Sequence, residues 1–142
     1  MREFLAELDA SGDLVHVRKA VSAKYEAAAI ASRLDGKPVL FERVLGAEGY
    51  RIAAGVCGTR AMLARALGIE VPELFPRVLD AIENPREFKL VDKAACQEVV
   101  EDEVDLGSIP VLTHCERDGG PYVTAGIAVA HDREYGYNAS YH

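Results

Sequence analysis

Short helical and short extended patterns alternate along this chain as far as about Leu90, and beyond that point extended patterns predominate. Such an order restricts the fold to an α/β layer arrangement followed by a β-rich unit. Phe4, Leu5 and Leu8 fall on one helical face that stops at Ser11-Gly12, and a strand is predicted over 14–17. Ser22 suits the N-cap of an alanine-rich helix reaching Leu34, closed by Asp35-Gly36. Pro38 leads into a strand over 39–43, and Gly46 to Gly49 connect it to another over 50–56. Thr59 caps a helix over 60–67 that Gly68 ends, while Pro72 and Pro76 leave room for a helical piece over 77–82. Strands are then expected over 88–91 and 96–101, with the valines interrupting the acidic run marking a solvated strand edge. The expected division is a small α/β domain over 1–104 and the first strands of a β-rich domain over 105–142.

The chain has 142 residues, 49% of them hydrophobic, enough to bury a sizeable core. No apolar run reaches the ~20 residues of a membrane span, and the start lacks a signal-peptide layout. A soluble, cytoplasmic protein is therefore expected. Three cysteines, Cys57, Cys96 and Cys115, make an odd set without paired spacing, so they are expected as buried thiols rather than disulfides. A net charge of −7 argues against nucleic acid or anionic membrane as the main partner, because phosphate attracts basic surfaces.

Several chemical readings fail on spacing. Gly46, Gly49, Gly55 and Gly58 do not form a dinucleotide fingerprint, and His114-Cys115-Glu116 with Asp118 lacks the spaced pairs of structural zinc. His16, between Val15 and Val17, is expected on a polar strand face without special duty. Asn138-Ala139-Ser140 matches a glycosylation sequon that a cytoplasmic chain would not present to that machinery, and Ser140 lacks a nucleophile elbow. The stretch Asp118-Gly119-Gly120-Pro121 is a tight turn or an anion-facing loop, with Thr124 expected in the strand after it. Asn138 and Ser140, two apart in a strand, share a face, and a turn over 132–136 would bring Thr124's strand beside them. Amide and hydroxyl oxygens are hard donors, suited to Mg²⁺, Mn²⁺ or K⁺ and to a phosphate that such ions carry.

The order Arg2-Glu3-Phe4-Leu5, Gly12-Asp13-Leu14-Val15, Val39-Leu40-Phe41-Glu42, Gly58-Thr59-Arg60, Leu67-Gly68, Ile109-Pro110-Val111-Leu112-Thr113, Asp118-Gly119-Gly120-Pro121-Tyr122-Val123-Thr124 and Asn138 resembles the N-terminal part of the UbiD family. These are reversible decarboxylases of aromatic and α,β-unsaturated acids that use prenylated FMN. The resemblance spans essentially this whole chain and about the first third of a typical member. It implies an N-terminal α/β domain followed by the first strands of a split β-barrel that binds the flavin.

Under that resemblance Asn138 matches a ligand of the divalent ion, usually Mn²⁺, that holds the cofactor phosphate, and Ala139 sits where a main-chain carbonyl helps to bind K⁺. Thr124, Ser140, Tyr141 and His142 match cofactor-side positions, although Tyr141 and His142 differ from the aliphatic residue and tyrosine common there. The family's arginine would stand just past His142. Its catalytic glutamates and remaining metal ligands lie further along. The implied function is a segment or small subunit of a decarboxylase, inactive alone, acting on an aromatic acid or on an anhydromevalonate phosphate-type substrate. Implied partners are the remainder of the enzyme as a continuing or separate chain, a flavin prenyltransferase that supplies the cofactor, and further copies in a homo-oligomer. The alternative is a non-catalytic assembly or regulatory module built on the same N-terminal domain.

Overall fold

The apolar residues at helical spacing near the start form helix α1, Arg2–Ala10, in the computed structural model, which describes residues 1–89 and 91–141. Gly12, at φ 75, turns the chain into strand β1, Val15–Val17. Helix α2, Glu26–Arg33, then carries it back to strand β2, Val39–Phe41, and strand β3, Ile52–Ala54, follows. The sheet order is β1-β2-β3. β1 and β2 are parallel, with Val15 beside Val39, while β2 and β3 are antiparallel, with Leu40 beside Ala53. A parallel pair needs a crossover, and α2 supplies it.

Strand alternation separates two cores. Val39 and Phe41, both fully buried, join Val21 and Ala27 under α2, with Val15, Val17, Ile30 and Leu34 packed around them. Leu40 points the other way and packs with Leu8, Leu14, Val56 and Met62, where α1 meets helix α3, Arg60–Leu67. Both ends of α3 follow the sequence closely: the Thr59 hydroxyl accepts from the Met62 amide at 3.2 Å, and Gly68 closes the helix at φ 66. The start of α2 differs from expectation. The Ser22 hydroxyl accepts from the Lys24 amide at 3.0 Å and the Ser22 amide donates to the Glu26 carboxylate at 2.8 Å, so regular helix begins only after Tyr25.

Helix α4, Leu74–Glu83, starts before the expected Arg77 because Pro76 lies in its first turn, where a missing N–H leaves no intrahelical bond unmade. Its apolar stripe of Phe75, Val78, Leu79 and Ile82 is exposed. The strands expected over 88–91 and 96–101 do not form among the described residues; Leu90 lies outside them. Only a 3-10 turn, Ala95–Gln97, is found there. Valines favour strands by packing on a neighbour, and Val99 and Val100 have none, each being 78% exposed. The cysteines are a further correction: Cys57, Cys96 and Cys115 are all exposed.

After a 3-10 turn at Leu106–Ser108, the chain returns to the segment ahead of α2. Thr113 bridges Lys24 in parallel, and Leu112 packs against the α2-side core. A hairpin follows, formed by strand β4, Ile127–Asp132, and strand β5, Gly136–Tyr141. The architecture is thus mixed α/β. Its accessible surface, 11812 Å², far exceeds the roughly 7,200 Å² that scaling gives for a folded monomer of 15.4 kDa. Among the described residues no helix is long and apolar enough to cross a membrane.

Candidate functional site

The hairpin follows from its turn chemistry. Asp132 Oδ1 accepts from the amides of Glu134 and Tyr135 at 2.7 and 2.8 Å, and Gly136 takes φ 78. An Asx-type turn followed by a left-handed glycine is a standard three-residue hairpin loop. Those two amides hold the Asp132 carboxyl below its ordinary range, Tyr135 contributing most. The register then places Asn138 opposite Ala130 and Ser140 opposite Ala128.

Period-2 alternation gives the hairpin two unlike faces. One carries Asn138 and Ser140 among the small residues Ala128 and Ala130. The other carries Ile127, Val129, His131, Tyr137 and Tyr141. On this second face His131 and Tyr137 lie 4.4 Å apart between ring centroids, and Phe88 meets Tyr137 edge-on at 5.4 Å. The first face is a strip of small residues carrying an exposed carboxamide, Asn138, and a half-buried hydroxyl, Ser140. Both are hard oxygen donors, right in kind for a divalent ion but too few to enclose one. Among the described residues no group of three or more His, Cys, Asp or Glu side chains could hold a metal ion.

Thr124 does not lie in a strand as expected. It occupies the turn before β4, and its carbonyl accepts from the Tyr141 hydroxyl at 2.9 Å. Tyr141 and Asn138 project to opposite faces, so this contact ties the end of β5 to the turn before β4 from the face away from Asn138. Ala139 lies opposite Val129, and His142 falls outside the described residues. The Asp118 carboxylate accepts from the amides of His114 and Cys115 at 3.1 and 2.8 Å, which closes the loop ahead of Gly119 and Gly120. Neither of those glycines is crowded, and neither has a positive φ.

Two polar clusters in the first unit were not foreseen. His16 Nδ1 lies 2.8 Å from Glu42 Oε1, and Nε2 lies 3.0 Å from Asp9 Oδ1. Glu42 first and Asp9 second raise the His16 pKa above its ordinary value, so this histidine links α1 to the sheet. Period-2 reading put it on the polar face but could not show which carboxylates share that face. Arg65 donates to Glu7, Asp13 and the Ser11 hydroxyl at 2.7, 2.6 and 2.9 Å, tying α3 to the end of α1. Hydrogen bonds from Ser11 first and Arg65 second lower the Asp13 pKa.

Comparison with known proteins covers nearly the whole chain. The model of the 3-octaprenyl-4-hydroxybenzoate carboxy-lyase N-terminal domain (UbiD_N) matches residues 5–82, and that of the Rift-related domain of the same family (UbiD) matches residues 89–142. Anhydromevalonate phosphate decarboxylase of Methanosarcina mazei is 39% identical over 99% of this chain and 32% of its own length. The Methanothermobacter thermautotrophicus enzyme of the same name is 34% identical over 100% of this chain and 33% of its own. The chain therefore spans about a third of the length of these curated relatives. Among solved structures, an evolved dimeric form of the UbiD-class enzyme HmfF from Pelotomaculum thermopropionicum, in complex with prFMN, superposes with a TM-score of 0.89 at 37% identity, covering 98% of this chain and 34% of that one.

Proposed function

Because the chain belongs to the UbiD family of carboxy-lyases, we propose that it is the N-terminal part of a reversible, non-oxidative decarboxylase and supplies part of a prenylated-FMN site. The observation that carries this reading is the hairpin strip of Asn138 and Ser140 among alanines, within the segment that matches the family's Rift-related domain. The flavin, when bound, supplies the electron sink as carbon dioxide leaves the substrate. This chain's residues bind and orient.

The Asn138 carboxamide oxygen serves a divalent ion such as Mn²⁺ that holds the flavin phosphate, and the Ala139 main-chain carbonyl serves K⁺. The Ser140 hydroxyl borders the cofactor on the Asn138 face, while Tyr141, on the opposite face, ties the strand end to the Thr124 carbonyl ahead of the next position, His142. Catalytic groups and the remaining metal ligands come from the rest of the enzyme, so the chain alone is inactive. Two named relatives favour an anhydromevalonate phosphate-type substrate over an aromatic acid. The complete enzyme is a cytoplasmic homo-oligomer that draws its cofactor from a flavin prenyltransferase.

The test is co-production of this chain with the remaining two-thirds of a family member and a flavin prenyltransferase, followed by assay of carbon dioxide release. Release from anhydromevalonate phosphate is expected. A flavin-loaded assembly that decarboxylates neither this substrate nor aromatic acids contradicts the proposal.

A further inference from the structure

Among the described residues two that are not glycine take a positive φ, Tyr25 and Asp35, and of these Tyr25 is the bulky one. It has φ 70 and ψ −43, and the Glu26 amide donates across it to the Lys24 carbonyl at 2.9 Å. This is the rarer γ-turn, with positive φ at the centre, a conformation that bulky side chains avoid. Strain of this kind persists only where surrounding contacts over-determine the backbone. Here they act from both sides. Val21 bridges Val44 on one side. On the other, the Tyr25 amide donates to the Thr113 carbonyl at 2.9 Å and the Thr113 amide donates to the Ala23 carbonyl at 3.1 Å.

The same contacts continue toward the hairpin. Leu112, seated on the α2-side core, accepts at its carbonyl from the Tyr122 amide at 2.9 Å. Two residues on, the Thr124 carbonyl accepts from the Tyr141 hydroxyl at 2.9 Å, at the end of the strand that carries Asn138 and Ser140. A cleft of about 370 Å³ opens beside this junction, lined in part by Ala23, Gly46, Ile109, Val111, Pro121 and Val123.

We propose that Tyr25 is a positioning residue: docking of residues 112–113 onto 23–25 forces its strained turn, and this clasp fixes the hairpin relative to the α/β unit. The role in holding a cofactor rests on the function proposed above, whereas the clasp itself does not. Tyr25 acts through Thr113 and Tyr122. It touches no reacting group.

A double-mutant cycle tests the clasp. Tyr25→Gly and Tyr25→Ala both remove the ring, but only glycine relieves the positive φ, so the glycine variant should melt roughly 3–10 °C higher. In a Thr113→Pro background, which lacks the donor to Ala23, that advantage should vanish. An equal advantage in both backgrounds, or none in either, overturns the proposal. Should Thr113→Pro fail to fold, amide hydrogen exchange of the unmodified chain decides. Tyr25, Thr113 and Tyr122 should lose protection together, and a Tyr25 amide protected while the other two exchange freely refutes the clasp. In the assembled enzyme Leu112→Ala should speed flavin loss severalfold well below its melting point, while Phe4→Ala, in the other core, should lower melting and hold flavin normally. Equal flavin retention in both variants removes the positioning role. An assembly that binds no flavin refutes the function proposed above and leaves the melting cycle to judge the clasp.

Discussion

Gly58 lies where two main-chain turns touch, and replacing it with alanine measures how tightly the first unit is built. Its φ lies outside the left-handed region, so alanine is torsionally permitted and only space matters. An added Cβ would stand 2.8 Å from Gly36 Cα, 2.9 Å from the Gly36 oxygen and 3.1 Å from the Gly55 oxygen. Carbon contacts settle near 3.5–4.0 Å, so the Gly36 turn must retreat by about 1 Å. All three neighbours are backbone and cannot rotate away. Gly36 itself stands close to Thr59, with 3.1 Å between its would-be Cβ and Thr59 Cγ2, so the shift also loads the cap of α3. Overpacking of this kind costs about 1–3 kcal/mol, and in a chain of this length lowers the melting midpoint by about 3–10 °C. Gly120→Ala is the control, since nothing lies within 4 Å of its Cβ position, and it should melt within about 2 °C of the parent. Thermal unfolding followed by circular dichroism decides. Gly58→Ala melting with the parent, or Gly120→Ala falling as far, refutes the packing argument.

Two further predictions concern the polar clusters. His16 binds its proton more tightly folded than unfolded, so its contribution is full below the unfolded value of about 6.5 and is lost as pH rises through the raised folded value. The melting gap between the parent and His16→Gln should therefore narrow from about pH 6 upward; a gap that widens with pH contradicts this. Arg65→Met should lower the midpoint and expose the α1–α3 junction to protease, and because its ion pairs are solvent-exposed, the loss should shrink in high salt. A loss independent of salt would mean that stem packing, not charge, is what Arg65 provides.

Local chemistry was legible wherever one residue decides an outcome. Thr59 and Gly68 mark the ends of α3, and the 132–136 turn was expected where Asp132 and Gly136 now build it. The shared face of Asn138 and Ser140 follows from strand period alone. What escaped depends on partners far along the chain. The valines near 99–104 carry a strand pattern, yet a strand needs a neighbouring strand, and Val99, Val100 and Val104 find none among the described residues. Tyrosine gives no local sign of positive φ, so the Tyr25 turn was hidden until the contact with Thr113 appeared. His16 was read correctly as strand-borne, but Asp9 and Glu42 reach it through tertiary packing. Free cysteine tends to be buried, but Cys57, Cys96 and Cys115 lie in turns and loops at the surface.

On the function proposed above, Asn138 makes the β4–β5 hairpin part of a flavin and metal site. The most direct test of this role is the flavin and manganese content of the assembled enzyme, by absorbance spectra and elemental analysis, for the parent and for Asn138→Ala. Stoichiometric flavin and manganese are expected in the parent, with both sharply reduced in the variant at unchanged melting of the unloaded protein. Full retention of flavin and metal by Asn138→Ala would contradict that role.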